Sequence, residues 1–342
     1  MVPVFLEGLF TGNYSFISCF FNTPAVAMVK IGLIGLGKWG KNHLRSLSEL
    51  DCNLVGISDI DENKKELAEK YNVDFFQDYK KLVPLVDAIV ITTPTDLHYE
   101  TVCFCLNAGK HVFVEKPIAT TSDESKKLTN LAKSKNLILS VGYLFRFNNS
   151  VKHVKELLKE IGEVQYITCR YIHSTKPPRT DSGVIFNLGI HLIDILNFIT
   201  EERPVKVYSK KKNLLSETLE DSAITMFGYN DFFAICEMSC MHPEKKRDMW
   251  IIAEKEKIYV DFLKQKITRY PIVVSYENVD CRDSFDEEII ANEPLKDELS
   301  YFIRIVEKNL GSENIGRENY YTTKMCELAV KSAETGKEMM IK

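Results

Sequence analysis

The residues most plainly spaced for chemistry are Gly35-Leu36-Gly37-Lys38-Trp39-Gly40, a G-x-G-x-x-G run. It follows an apolar stretch at 29–35 and leads into a helical stretch at 41–50. In that strand–turn–helix setting each glycine has a task. Gly35 permits the tight turn, Gly37 lets the backbone approach a pyrophosphate, and Gly40 lets the helix pack on the strand. The amides at the helix N-terminus then face the phosphates. A second apolar strand at 54–58 ends at Asp59, 19 residues past Gly40. An acidic side chain there binds a ribose 2′-hydroxyl and repels a 2′-phosphate, so the cofactor expected is NAD rather than NADP. The other use of Asp59 is as a helix cap, a role Asp61 fills better.

The elements that must position these residues alternate. Strands are expected at 88–92, 110–114 and 137–141, with helices at 97–108, closed by Gly109, and at 122–135, capped by Ser122. This pattern gives a doubly wound parallel sheet, whose ligands bind outside the carboxyl ends of the strands. Asp59, Thr93, Lys116 and Tyr143 all fall at such ends. Beyond residue 163 the pattern changes to polar–apolar alternation at 163–174, 205–210, 221–229, 232–241, 249–253, 257–262 and 272–276. Asn230-Asp231 reads as a hairpin turn. Strands without intervening helices indicate an antiparallel sheet. Two closing helices, 295–309 and 318–335, either pack back on the first domain or brace that sheet.

The chain has 342 residues, which suggests two domains. The division expected is 28–148 and 149–342. A net charge of −4 lacks the basic excess of a generic nucleic-acid binder. The nine cysteines include no Cys-x-x-Cys pair, so zinc ribbons and thioredoxin-like motifs find no support. Cys240-Met241-His242 is a soft-metal pair with no second cluster, and buried free thiols are the simpler reading; no metal is expected. That usage fits a reducing cytoplasm. Residues 1–27 carry one charge, Glu7, and end in Ala25-Val26-Ala27 like a signal-peptidase site. They lack a positive start, and polar residues interrupt the apolar run, so no membrane span is expected. Met28 is read as the natural start of the fold. The extension is then a translation-start artefact or loose appendage, a targeting segment, or an added oligomer contact.

Several motifs occur in one order: Gly35 to His43, Thr92-Thr93-Pro94, Ala108-Gly-Lys-His-Val112, Glu115-Lys116-Pro117 and Gly189-Ile-His-Leu-Ile-Asp194. In these the chain resembles the glucose–fructose oxidoreductase / inositol dehydrogenase family from Met28 to its end. The resemblance implies an N-terminal Rossmann domain and a C-terminal α+β domain with a large open, mostly antiparallel sheet. It implies homodimers or homotetramers formed through that sheet. It also implies cofactor contacts from Gly35, Leu36, Gly37, Lys38, Trp39, Gly40, Asp59, Thr92, Thr93, Pro94, His98, Glu115 and Lys116.

Oxidation of a secondary alcohol by NAD needs the carbinol hydrogen aimed at the nicotinamide and a base for the hydroxyl proton. Lys116, beside a Pro117 that is cis in similar enzymes, is the first choice; a lysine next to a cationic nicotinamide has a lowered pKa. Its bland alternative is a solvated surface lysine. His191 is carried over as the second catalytic residue, with Asp194 at i+3 to orient its ring and Asn187 at i−4 on the same face. Its bland alternative is a core histidine. Sugar-alcohol members often place Asp where this chain has Asn187, and Asn cannot act as a base, so Lys116 and His191 are expected to carry the proton transfer, or the protein does something other than oxidation. A second departure is Asn149, where proline often follows the Arg-Phe-Asn segment. Tyr143 and Arg146 are expected to contact substrate. Lys176 and Arg179, in a Pro-rich loop, suit an anionic group or form a connector. That loop resembles those of members acting on the 3-hydroxyl of UDP-N-acetylglucosamine or its uronate. The substrate expected first is such a nucleotide sugar, and the alternative is a free polyol or sugar such as inositol. An NAD-binding sensor without turnover is the alternative of another class.

Overall fold

The computed structural model describes residues 28–174, 182–308 and 317–341. Residues 1–27, with Cys19, and the Lys176–Arg179 loop expected at the substrate lie outside the described residues.

The first domain begins with β1 (Lys30–Ile34), α1 (Lys38–Ser48), β2 (Asn53–Ser58), α2 (Lys65–Tyr71), β3 (Asp74–Phe76) and α3 (Tyr79–Leu82). It continues with β4 (Ala88–Ile91), α4 (His98–Asn107), β5 (His111–Glu115), α5 (Ser122–Ser134) and β6 (Leu139–Gly142). Its six strands are all parallel and run 3-2-1-4-5-6, so the crevice between β1 and β4 is the switch point where a dinucleotide lies. The apolar runs read as buried strands are so: Ile31, Leu33 and all of β4 are shielded by helices on both faces. Each such Ile or Leu contributes about 1.5–3 kcal/mol of burial. The short β3 and α3 carried no periodic signal and were not expected. The helix at 122 is capped by Thr121, whose side chain accepts from the Glu124 amide, rather than by Ser122.

The second domain comprises α6 (Asn149–Leu157), β7 (Val164–Ser174), α7 (Ile190–Thr200), β8 (Lys206–Lys212), β9 (Ser222–Gly228), β10 (Phe233–Ser239), β11 (Met241–Ala253) and β12 (Lys257–Asp261). After these come β13 (Lys266–Tyr270), β14 (Ile272–Val274), β15 (Val279–Cys281), β16 (Phe285–Asp286), α8 (Pro294–Glu307), α9 (Arg317–Thr335) and β17 (Met339–Met340). Nine strands form one sheet in the order 16-13-12-11-7-10-9-8-17. It is antiparallel except where β7 pairs parallel with β10, because α7 and the β8–β9 hairpin carry the chain across before β10 enters. The strand expected at 272–276 leaves the sheet: β14 and β15 form a separate two-stranded arm, and β13 takes the place beside β12.

The closing helices touch both the first domain and the open sheet. Leu295, Leu299, Phe302 and Ile303 of α8 join the core of the first domain, where Phe302 meets Phe113 at 5.7 Å. Met325, Cys326 and Ala329 of α9 belong to the larger core under the open sheet. Glu327 of the same helix receives the Ser122 amide and hydroxyl at the start of α5, both at 2.6 Å. The two domains are thus stapled by the C-terminal helices.

Candidate active site

The glycine loop has the geometry its sequence requires. Gly35 sits at φ +92°, and a Cβ there would lie 2.9 Å from the backbone of Thr92 and Thr93. At Gly40 a Cβ would come within 2.0 Å of the Gly35 carbonyl oxygen, so α1 can approach β1 only with glycine there. A Cβ at Gly37 would meet nothing within 4 Å. That open space at the start of α1 is where a pyrophosphate fits, against helix amides. Thr92 buttresses the turn through its hydroxyl, which donates to the Gly35 carbonyl at 2.7 Å. Asp59 accepts from the Leu36 amide at 2.6 Å and the Asp61 amide at 3.0 Å. A carboxylate has about four acceptor positions, so two remain for ribose hydroxyls. Asp61 caps the next turn as expected, accepting from Asn63. Lys38 and Trp39 lie exposed on the first turn of α1.

His98 is fully buried, and its ring spans the carbonyl oxygens of Thr93 at 2.8 Å and Pro117 at 2.7 Å. It braces the Thr92-Thr93-Pro94 turn against the segment bearing Lys116. Glu115 meets the buried His43 of α1 at 2.7 Å. Burial raises the Glu115 carboxyl, but the His43 hydrogen bond and the charge and amide of Lys116 hold it below its ordinary value. His43 was missed in the sequence because nothing local distinguishes its imidazole from a solvated one.

Lys116 follows a strand end and precedes a cis peptide to Pro117. It is 8% exposed, so it is not a solvated surface lysine. Its Nζ donates to the main-chain oxygen of Asn187 at 3.0 Å, which reaches from the first domain into the second. Asn187 lies in a wide π-helical turn, Ile185–Gly189, that runs into α7; such turns recur at functional sites. Its side-chain amide donates to the Ser182 carbonyl, while Oδ1 is buried without a partner among the described residues.

His191 opens α7 between two aromatic rings, edge-on to Phe145 at 5.3 Å and stacked on Tyr171 at 5.7 Å. Burial, then the positive charges of Lys116 and Arg247, push its pKa well below the ordinary value. It is a neutral imidazole at neutral pH. The carboxylate expected to orient it, Asp194, has a different charged partner: Arg146 grips it through Nε and an Nη at 2.6–3.0 Å. Arg146 thereby ties the segment after β6 to α7, stacking on Tyr143 at 5.1 Å on the way. Tyr143 is buried, and that burial keeps its phenol protonated. Glu298 of α8 was not anticipated. It is buried near Glu115 and Asp194, and burial followed by those negative neighbours raises its pKa well above the ordinary value.

A dinucleotide crevice closed by a second domain, with a lysine and a neutral histidine at its mouth, defines a nicotinamide-dependent oxidoreductase architecture. Comparison with known proteins agrees. Residues 29–143 match the model of an oxidoreductase family with an NAD-binding Rossmann fold, and residues 151–259 match the GFO/IDH/MocA C-terminal domain. The chain belongs to the GFO/IDH/MocA oxidoreductase family, and its first domain is the family's NAD-binding Rossmann domain. It is 30% identical to myo-inositol 2-dehydrogenase of Thermotoga maritima over 56% of this chain and 60% of that protein. It is 26% identical to UDP-N-acetylglucosamine 3-dehydrogenase of Acidithiobacillus ferrooxidans over 71% of this chain and 77% of that one. The alignment therefore spans less than two thirds of the Thermotoga relative. In fold, a solved structure of the Acidithiobacillus enzyme superposes with a TM-score of 0.79 at 22% identity, covering 90% of this chain and 98% of the other. Levoglucosan dehydrogenase in complex with NADH gives a TM-score of 0.81 at 19% identity, over 92% and 99%.

Proposed function

We propose that this protein is an NAD-dependent dehydrogenase that oxidises a secondary hydroxyl of a sugar, the 3-hydroxyl of UDP-N-acetylglucosamine or its uronate. The observation that carries the reading is the pairing of Lys116 with the Asn187 carbonyl beside a neutral His191. NAD held in the crevice by the glycine loop and Asp59 would supply the hydride acceptor. The chain's own groups handle the proton and the orientation. Neutral His191 accepts the hydroxyl proton, and Lys116 donates a hydrogen bond to the oxygen on which negative charge develops. The unpaired Oδ1 of Asn187 is an acceptor for a neighbouring hydroxyl, not a base. Asp59 favours NAD over NADP. The nucleotide-sugar choice is supported by the Acidithiobacillus relative, matched over 77% of its length, and by Lys176 and Arg179 in sequence. A free polyol is the second reading, favoured by the inositol dehydrogenase relative.

The open face of the nine-stranded sheet supports a homo-oligomer. Tyr208, Met226, Ile235, Thr168, Trp250 and Tyr259 lie opposite one another in successive strands from β8 to β12, on the face away from the core.

The test is NADH formation by purified protein with UDP-N-acetylglucosamine, its uronate, free N-acetylglucosamine and myo-inositol. A 2-oxoacid is added in parallel to reoxidise any NADH that stays bound. Turnover of the UDP sugars alone is expected, lost in Lys116→Ala with NADH binding kept. Turnover of inositol alone would replace the substrate assignment. Tight NAD binding without turnover of any sugar would make the protein a sensor.

A further inference from the structure

Among the described residues, the basic side chains are not all accounted for by acids. Arg146 is held by Asp194, Arg170 by Asp248, and Arg269 by Glu256 and Glu287. Arg247 is half-buried in β11 and has no carboxylate among the described residues, and its Nε is enclosed without a hydrogen-bond partner. It stands opposite Tyr171 in the β7–β11 ladder, with its guanidinium 4.4 Å from that ring's centroid. Tyr171 is the same ring that stacks on His191 at 5.7 Å and meets His173 at 6.0 Å. Arg247, His173 and His191 thus gather around one tyrosine on the face of the sheet that bears the active site.

At this proximity the charges act on one another. Arg247 depresses the pKa of His191 behind burial and Lys116. It also depresses that of His173, behind burial and together with Lys245. Stacking on a tyrosine leaves a guanidinium's in-plane N–H groups free for an acceptor. A partly buried cation whose Nε is enclosed without an acceptor costs free energy unless a ligand supplies the charge. A bidentate oxyanion is the ligand that matches its fork.

We infer that Arg247, with Lys245 and His173 beside it, is an anion subsite that holds a phosphoryl or carboxylate group of the substrate next to the reacting sugar. The inference rests on the reading of the site as a sugar dehydrogenase and sets its specificity: the substrate carries an oxyanion, and a neutral polyol would leave Arg247 without a counter-ion among the described residues. Phosphoryl and carboxylate sources share this chemistry, and the experiment separates them.

NADH-loaded protein is titrated calorimetrically with UDP, uridine and the free uronate of N-acetylglucosamine, in the wild type and in Arg247→Met. Methionine keeps an apolar stem against Tyr171 and removes only the charge. Loss of a charge-assisted pair corresponds to about tenfold to a hundredfold in affinity. UDP binding is expected to weaken by that factor while uridine and NADH are unaffected. Weakening for the uronate instead would assign the subsite to a carboxylate. Arg247→Lys should recover part of the affinity, and Arg247→Gln serves if the methionine variant does not fold. Equal affinities in variant and wild type, for UDP and uronate alike, would overturn the subsite. Turnover separates the two claims. If UDP-N-acetylglucosamine is oxidised and its KM ignores Arg247, the subsite fails and the dehydrogenase reading stands. If no sugar is oxidised yet oxyanion binding depends on Arg247, the reverse holds.

Discussion

At the scale of the residue, His191 shows how environment sets chemistry. Between Phe145 and Tyr171, and facing Lys116 and Arg247, its imidazole is held neutral. A base must be unprotonated to act, and kcat/KM reports the free enzyme. The expected acid limb of kcat/KM therefore lies well below the ordinary histidine value of about 6.5. In Arg247→Met one of the depressing charges is gone, so the limb should move up. A limb that stays in place would mean that another group takes the proton. Asp59 makes a second case. It holds the Leu36 amide at 2.6 Å and presents negative charge where a 2′-phosphate would sit. Asp59→Ser is expected to lower the NAD/NADP ratio of kcat/KM by at least about tenfold, or about 1.4 kcal/mol, as measured by initial rates with each cofactor.

At the scale of the element, the first turn of α1 leaves no room for a side chain at Gly40. Gly40→Ala puts a methyl 2.0 Å from the Gly35 oxygen and 2.8 Å from the Thr92 hydroxyl. Relief requires α1 to shift off β1. The expected cost is about 3 kcal/mol or more, read as a lower Tm and a loss of NADH binding. Helix α8 carries the opposite kind of defect. Burial raises the Glu298 pKa in the folded state, so folding retains a proton that the unfolded chain releases as pH rises. Stability from that carboxyl is whole below the ordinary carboxylate range and declines above it, by up to about 1.4 kcal/mol per pH unit. Glu298→Gln is therefore expected to match the wild type in Tm at pH 4 and exceed it increasingly above pH 5 (both about, on the usual carboxylate value). These two elements also divide what the sequence discloses from what it hides. The glycine loop is legible because its constraint is local: three glycines and one turn. The strand ends bearing Asp59, Thr93 and Lys116 are legible through the apolar runs that precede them and their alternation with helices. Glu298 and Arg247 are silent in sequence because their meaning lies in distant neighbours. Arg247 was hidden further because the alternation of β11 is regular only from Met249 onward, while the strand begins at Met241. The Arg146–Asp194 pair, 48 residues apart, shows the same limit, since i+3 spacing suggested that Asp194 served His191.

At the scale of the whole molecule, the open face of the nine-stranded sheet is the largest feature left to account for. Its side chains alternate with buried Ile167, Cys169, Met249, Ile251 and Val260, so the two faces of each strand are fixed by period two. The outward row is apolar and aromatic: Trp250 lies 4.9 Å from Tyr259 and 5.3 Å from Tyr270, and Tyr166 stacks on Phe233 at 5.5 Å. Ile224, Met226 and Phe233 are 56%, 41% and 39% exposed. Monomers rarely leave a contiguous patch of this kind bare. Beside it runs a charged row, with Arg170 clasping Asp248 and Glu237 paired across from Arg170. In the homo-oligomer proposed above, a second copy related by a two-fold axis would set apolar row on apolar row. A charge at the centre of that interface cannot be hydrated once the copies meet. Trp250→Glu is therefore expected to give monomers by analytical ultracentrifugation at concentrations where the wild type is dimeric or larger. NADH affinity should be unchanged, because the cofactor crevice belongs to the other domain. A wild type that sediments as a monomer at all concentrations would leave this face without its second copy.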